Sequence, residues 1–355
     1  MRQVQGEYME KWQEILSKSI SDSAAISKIL KIDKRQLDKI IKEYPMSINP
    51  YYLSLIKKKG DPIWKQCMPA ALETSNISGR HDPLLEEKYT PVEGLIHRYK
   101  DRILLLVSNM CTVYCRFCTR KRKVGSEEKV LKREDSKKAF RYIKRRRSIR
   151  DVIISGGDPL LLEDEMIEYY LKNLRKIRHI QIIRIHSRTP CTLPQRITPK
   201  LCEMLKRYSP IYFNTHFNHF QELTRASRKA CTMLADAGII MGNQSVLLAG
   251  VNDDAETLKK LFEGLLTMKI RPYYLYLPDA VKGTRHFRVS IRKVLSIMRH
   301  LIGHTSGLAI PHLIVDLKYG GGKIPLLPNY IVKHEGRRFV FKNFEDKIFY
   351  SADIV

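Results

Sequence analysis

The chain has 355 residues, with 64 Lys and Arg against 37 Asp and Glu, a formal net charge of +27, and 43% hydrophobic residues. That composition excludes general disorder, and no run approaches the ~20 apolar residues that a membrane span needs. The N-terminus, MRQVQGEYMEKWQEILSK, carries no apolar signal-like stretch, so a cytoplasmic location is expected. The basic excess reads either as solvated surface or as attraction to an anionic partner, a nucleic acid or an acidic protein.

Residues 1 to about 90 read as a helical region. Leu37, Ile40, Ile41 and Tyr44 repeat at helical spacing, and Asn49-Pro50 and Asp61-Pro62 interrupt the pattern. From about residue 101, six apolar runs at 102–108, 151–155, 180–186, 211–216, 239–248 and 270–277 alternate with helical stretches. Ile167, Tyr170, Leu171 and Leu174 form one stripe, Thr198 before Pro199 marks a helix start, and Asp253 with Glu256 makes a capping-box pair. Alternation of this kind means parallel strands, because each crossover returns the chain in the same direction. Six units are too few for an eight-fold barrel. The expected fold is α/β, a partial (β/α)6 TIM-like barrel over 91–304, with a doubly wound sheet as the rival. A C-terminal segment, 305–355, holds a strand-like run at 313–316, the turn Tyr319-Gly320-Gly321-Gly322-Lys323, and a hairpin from 330–332 and 338–341.

Three of the seven cysteines fall within eight residues: Cys111, Cys115 and Cys118, spaced C-x3-C-x2-C directly after the first strand run. Such clustering points to a reducing compartment and to metal chemistry. Three thiolates on one loop can hold three corners of a cubane cluster and leave the fourth iron open to a small ligand. Structural zinc wants four ligands, commonly as paired C-x2-C units, and no second pair exists. Cys67, Cys191, Cys202 and Cys231 are scattered and read as small buried hydrophobes.

The stretch CTVYCRFC resembles the signature of radical S-adenosylmethionine (SAM) enzymes. NMCTVYCRFCTRKRKVG, DVIISGGDPLL, HSRTPCTLPQRIT, NTHFNH, GNQSVLLAGVND, RPYYLYLPD and GGGKIPLLPNY, in that order, resemble the lysine 2,3-aminomutase family. The likeness runs from INPYYLSLI near residue 48 to KNFEDKI near residue 348. It implies a partial TIM-like barrel working with a [4Fe–4S] cluster, SAM and pyridoxal 5′-phosphate (PLP).

The resemblance also implies roles. Cys111, Cys115 and Cys118 would bind the cluster. Ser155, Gly156, Gly157 and Asp158 would meet the methionine end of SAM, joined by Ser187 and Arg188, with His216, Gln244 and Ser245 toward its nucleoside. Lys323 would be the imine-forming lysine of PLP, with Arg98, Tyr99 and Arg102 near the phosphate. Asp279 and Asp316 would hold the substrate's ε-ammonium, and Arg120 its carboxylate. Two carboxylates and one arginine complement a diamino acid and repel glutamate. The implied activity is an isomerase interconverting L-lysine and β-lysine, served by an external electron donor such as flavodoxin or ferredoxin. The rivals are another radical SAM enzyme, for example one modifying RNA, and an aminomutase for a different amino acid.

Two departures from the family pattern stand out. Catabolic members carry a longer cysteine-bearing tail and a cysteine after the fifth-strand loop that bind zinc; here the chain ends at Val355 and the loop reads Val251-Asn252-Asp253-Asp254, so that site is expected to be absent. Phe117 stands where catabolic members have His, and the stretch 279–287 is similar to shorter relatives that make β-lysine for elongation factor P, whereas GGGKIPLLPNY looks like the catabolic branch.

Overall fold

The computed structural model describes residues 11–30, 33–75, 78–125, 131, 133–335 and 338–352. The first ten residues of the helical region and the last three of the C-terminal segment lie outside these.

The N-terminal region is a set of short helices, Lys11–Ser17, Ser23–Leu30, Lys34–Glu43, Pro50–Leu53, Pro62–Cys67 and Leu72–Ser75. Leu37, Ile40 and Tyr44 of the sequence stripe are buried. The two prolines read as interruptions in fact start helices. Asn49 and Asp61 cap them, accepting from the Tyr52 and Trp64 amides at 2.9 and 2.7 Å, and a proline in the first turn lacks only an N–H that would be unpaired there anyway.

The centre is one nine-stranded sheet whose spatial order follows the chain. Its strands are β1 (Leu95–Tyr99), β2 (Arg102–Ser108), β3 (Asp151–Gly156), β4 (Ile182–His186), β5 (Ile211–Thr215), β6 (Ile240–Val246), β7 (Arg271–Tyr276), β8 (His312–Leu317) and β9 (Gly322–Pro325). β2 to β8 run parallel, while β1 and β9 are antiparallel edges. The sheet curls into a half-barrel with helices outside. The six expected parallel strands are β2 to β7, and β8 adds a seventh from the segment read as an extension. In Asp164–Arg175 the stripe Ile167, Tyr170, Leu171 and Leu174 is buried. Thr198 caps its helix by accepting from the Leu201 amide at 3.1 Å. The capping expected of Asp253 belongs to Asp254, which accepts from the Thr257 amide at 2.8 Å, while Asp253 closes the preceding loop by accepting from the Gly250 amide at 2.8 Å. The terminal hairpin has a third strand: β10 (Ile331–Glu335), β11 (Arg338–Lys342) and β12 (Ile348–Ala352) form a separate antiparallel sheet. Among the described residues no helix is long and apolar enough to cross a membrane.

Candidate active site

In parallel sheets of this kind, functional groups gather at the C-terminal ends of the strands. A cavity of about 300 Å³ opens there, a second of about 720 Å³ runs on into the barrel as far as Arg102 and His312 at the strand starts, and the two share Leu84, Arg120, Ser155, His186, Gln244, Tyr276 and Lys323 as walls. They are therefore two ends of one space. Cys111, Cys115 and Cys118 line the smaller end, and Arg98, Tyr99 and Arg102 line the larger.

The cysteine loop follows β2 and is gripped by the N-terminal helices. Asn49 Nδ2 donates to the Thr112 carbonyl at 2.9 Å, and the Tyr114 and Arg116 amides donate to the Ser47 and Gln66 carbonyls at 2.9 Å each. Beneath the loop, Glu73 is completely buried and receives Arg116 Nε at 3.0 Å and Nη2 at 2.6 Å, as well as Lys121 Nζ. Burial acts to raise the Glu73 carboxyl, but the two cations outweigh it and hold it below its ordinary value. Burial lowers Lys121 to about 8. Burial also pushes the Cys118 thiol up to about 11 and raises the Cys111 thiol well above its ordinary value. Such thiols ionise only when a positively charged group arrives to bind them. No three His, Cys, Asp or Glu side chains among the described residues are gathered closely enough to share one ion. Cys111, Cys115 and Cys118 are free thiols lining one cavity, a donor set of the kind a cluster takes.

Several of the residues expected around SAM are committed to the protein itself. Asp158 accepts from Ser187 Oγ at 2.6 Å, Leu160 N at 3.1 Å, Arg188 N at 2.9 Å and Thr189 N at 3.1 Å. Both its oxygens are thus engaged, and its role is to tie the ends of β3 and β4 together. Gly156 adopts φ +137° because a Cβ there would run into the Ser108 backbone, and Gly157 N donates to the Ser108 carbonyl at 2.5 Å. The close approach that glycine allows is thus to this chain's own cysteine loop. Arg188 donates to Cys115 Sγ at 2.7 Å, and its other arm reaches Gln66 Oε1 at 2.6 Å and buried Glu222 at 2.8 Å. Ser245 does not face the cavity: it is fully buried and donates to the Phe217 carbonyl at 2.7 Å. Strand alternation explains this, since Gln244 and Val246 on either side line the cavity. Gln244 has no hydrogen-bond partner among the described residues and faces both ends of the cavity, so its amide is free for a ligand. Burial, aided by Arg188, holds His216 at about 3, and it meets Asn218 Oδ1 at 3.1 Å. It is therefore a neutral imidazole at working pH.

Where the two ends meet, Lys323 lies on β9 after a turn in which Gly320 and Gly322 adopt φ +80° and +95°. Its ammonium pairs with Asp316 on β8, which also receives Arg98 Nη1 at 3.3 Å. The Tyr99 hydroxyl accepts the Lys323 amide at 3.2 Å. Arg98 Nη2 is buried without a hydrogen-bond acceptor, while Arg102 Nε has only exposed Asp101 at 3.4 Å. Buried donors of this kind are costly unless something accepts from them, and two arginines beside an exposed-edge lysine fit a phosphate-bearing carbonyl cofactor. Asp279 follows β7, accepts from Thr119 Oγ1 at 2.7 Å, and is raised to about 6 by burial and by neighbouring Asp316, against the pull of Thr119 and Lys323. Arg120 is held by Glu86.

The sequence reading missed several residues that the site brings together. Glu73, Glu222 and Gln66 lie far from the motifs they support, and Glu86 sits in LLEEKYT, which carries no pattern. His186 ends β4 and lines both cavities; burial and the charges of Arg184, Arg120 and Lys323 hold it at about 3.

Comparison with known proteins agrees with this geometry. The Radical SAM superfamily matches residues 105–262, and the C-terminal region described as lysine-2,3-aminomutase matches 298–352. L-lysine 2,3-aminomutase of Methanococcus maripaludis is 47% identical over 94% of this chain and 79% of its own length. The Clostridium subterminale enzyme of the same name is 46% identical over 90% of this chain and 78% of its own length. Glutamate 2,3-aminomutase of Clostridioides difficile is 40% identical over 97% of this chain and 82% of its own length. The chain belongs to the lysine 2,3-aminomutase family of radical SAM enzymes, isomerases that work with an iron–sulfur cluster, SAM and PLP.

Proposed function

We propose that this enzyme interconverts L-lysine and β-lysine by moving an amino group between Cα and Cβ. The observation that carries the reading is a single cavity with three thiols, Asp279 and Asp316 in its smaller part, Arg98, Tyr99 and Arg102 in its larger part, and Lys323 and Arg120 in the wall the two parts share. When bound, the cluster and SAM supply one-electron hydrogen abstraction, and PLP supplies a conjugated imine to carry the migrating nitrogen.

The chain's own residues bind, orient and shield. Cys111, Cys115 and Cys118 hold the cluster, with Arg188 donating to the Cys115 sulfur. The Ser155–Gly157 backbone, His216 and Gln244 receive SAM. Lys323 carries PLP, and Arg98, Tyr99 and Arg102 take its phosphate. Asp316 has a double use. It pairs with the Lys323 ammonium, and with Lys323 given over to PLP it would serve, beside Asp279, the substrate's distal ammonium. Arg120 takes the substrate carboxylate. A glutamate side chain in the same place would face two carboxylates in a buried space, which disfavours it strongly. The electron comes from an external carrier of the flavodoxin or ferredoxin class. The 279–287 stretch favours supply of β-lysine for elongation factor P as the physiological role.

Anaerobic reconstitution with iron, sulfide and PLP, followed by lysine, SAM and dithionite, should give β-lysine on chromatography. Conversion of glutamate or another amino acid in place of lysine would overturn the substrate assignment.

A further inference from the structure

Arg120 lines the cavity with one edge of its guanidinium held by Glu86. Its Nε donates to both oxygens of Glu86 at 3.0 and 3.1 Å, and its Nη2 donates to Glu86 Oε1 at 2.7 Å. Glu86 lies ahead of the sheet, on the short turn before β1, with only 7% of its side chain exposed. A guanidinium carries five N–H donors in a rigid planar fork. Glu86 takes the edge formed by Nε and one Nη2 hydrogen. The three remaining donors have no protein partner among the described residues, and no Arg120 atom is a sealed orphan. They therefore open into the cavity that Arg120 lines. An open guanidinium edge of two nitrogens matches a carboxylate bidentately.

Glu86 is also shared. Its Oε2 lies 3.8 Å from Arg122 Nη2, and that arginine faces Asp82 at 3.3 Å. Arg122 has Asp82 and, at 3.5 Å, Glu87 for its own charge, so Glu86 serves chiefly Arg120. The alternative partner for a loose Arg120 is Asp279, whose field reaches it. Arg120 swinging to that carboxylate would join the two groups meant for opposite ends of the substrate.

We infer that Glu86 is the positioning residue for Arg120, fixing the far edge of the guanidinium so that its near edge receives the α-carboxylate of an amino-acid substrate. The inference rests on the substrate reading above. Holding a flexible arginine in place before the substrate arrives removes an ordering cost from binding. The effect should therefore appear in KM and act only through Arg120.

The test is a double-mutant cycle on the reconstituted full chain with lysine, comparing wild type, Glu86→Gln, Arg120→Met and the double variant. Glu86→Gln should raise KM about tenfold or more, leave kcat within about threefold, and keep full cluster and PLP absorbance. In the Arg120→Met background the same change should add less than about twofold. An unchanged KM, a fall in kcat alone, or an effect that persists undiminished without Arg120 would overturn the inference. If Glu86→Gln loses its chromophores, Glu86→Asp takes its place under the same criteria. Failure of the wild type to convert lysine would instead count against the substrate reading.

Discussion

The two ends of the cavity are built in opposite ways. At the cysteine end nearly every polar group is already satisfied by the protein. Asp158 accepts four hydrogen bonds, and Glu73 and Glu222 are completely buried inside closed ion-pair networks. At the lysine end, groups are left waiting. Arg98 buries an unpaired donor and Arg102 meets only exposed Asp101, while on the wall shared with the cysteine end Gln244 is uncommitted and Lys323 retains about a third of its side-chain exposure. The contrast suits the two tasks. A reactive radical centre demands fixed geometry and exclusion of water. A cofactor and substrate that exchange partners on one lysine need open coordination and room to move.

The sharpest way to break this contrast is to disable each end separately. Cys115→Ala should reduce turnover to background while the PLP absorbance of the reconstituted protein remains. Lys323→Ala should remove that absorbance while the iron–sulfur absorbance remains. Loss of both signals in either variant would show that the ends are not independent.

Next in size is a difference in stability. Glu73→Ala leaves Arg116 and Lys121 buried without their carboxylate, which should cost roughly 3–5 kcal/mol in denaturant unfolding. Arg98→Gln, at the open end, should leave stability nearly unchanged. It should instead weaken PLP binding about tenfold, consistent with a charge-assisted hydrogen bond worth roughly 1.5–3 kcal/mol. Equal stability losses for the two variants would contradict the distinction.

The smallest effect is in pH. Asp279 is raised to about 6 by burial, with Asp316 adding to the shift and the Lys323 ammonium opposing it. A carboxyl must be ionised to hold an ammonium, so kcat/KM for lysine should rise with pH through a limb near or above 6. Asp279→Asn should abolish it. For stability the sign is reversed: a carboxyl whose folded pKa is raised contributes least above about 6, and its contribution grows as pH falls from there toward the ordinary value of about 4.

Much of this architecture was legible in the sequence because it is written in short, local patterns. Each parallel strand is an apolar run of five to seven residues bounded by helix-start residues, and the cysteine loop keeps all three thiols within eight positions. What failed to show was non-local or turned on a single position. Ser245 sits in a motif, but alternation along β6 turns it away from the cavity. Asp158 looks like a free acid in GGD, yet the ends of β3 and β4 place four donors around it. Asp253 and Asp254 are equally good caps in sequence, and only the loop closure to Gly250 decides between them. β8 was read as part of an extension because nothing local records that it pairs with β7. Glu86 and Glu73 act on residues 34 and 43 positions away, a separation that no spacing rule captures.

The most direct test is one anaerobic absorbance spectrum of the reconstituted protein, recorded before and after dithionite. A broad iron–sulfur absorption that bleaches on reduction, together with an imine band that disappears in Lys323→Ala, is the predicted result. A protein that takes up a single colourless metal ion and shows no imine band would contradict the account.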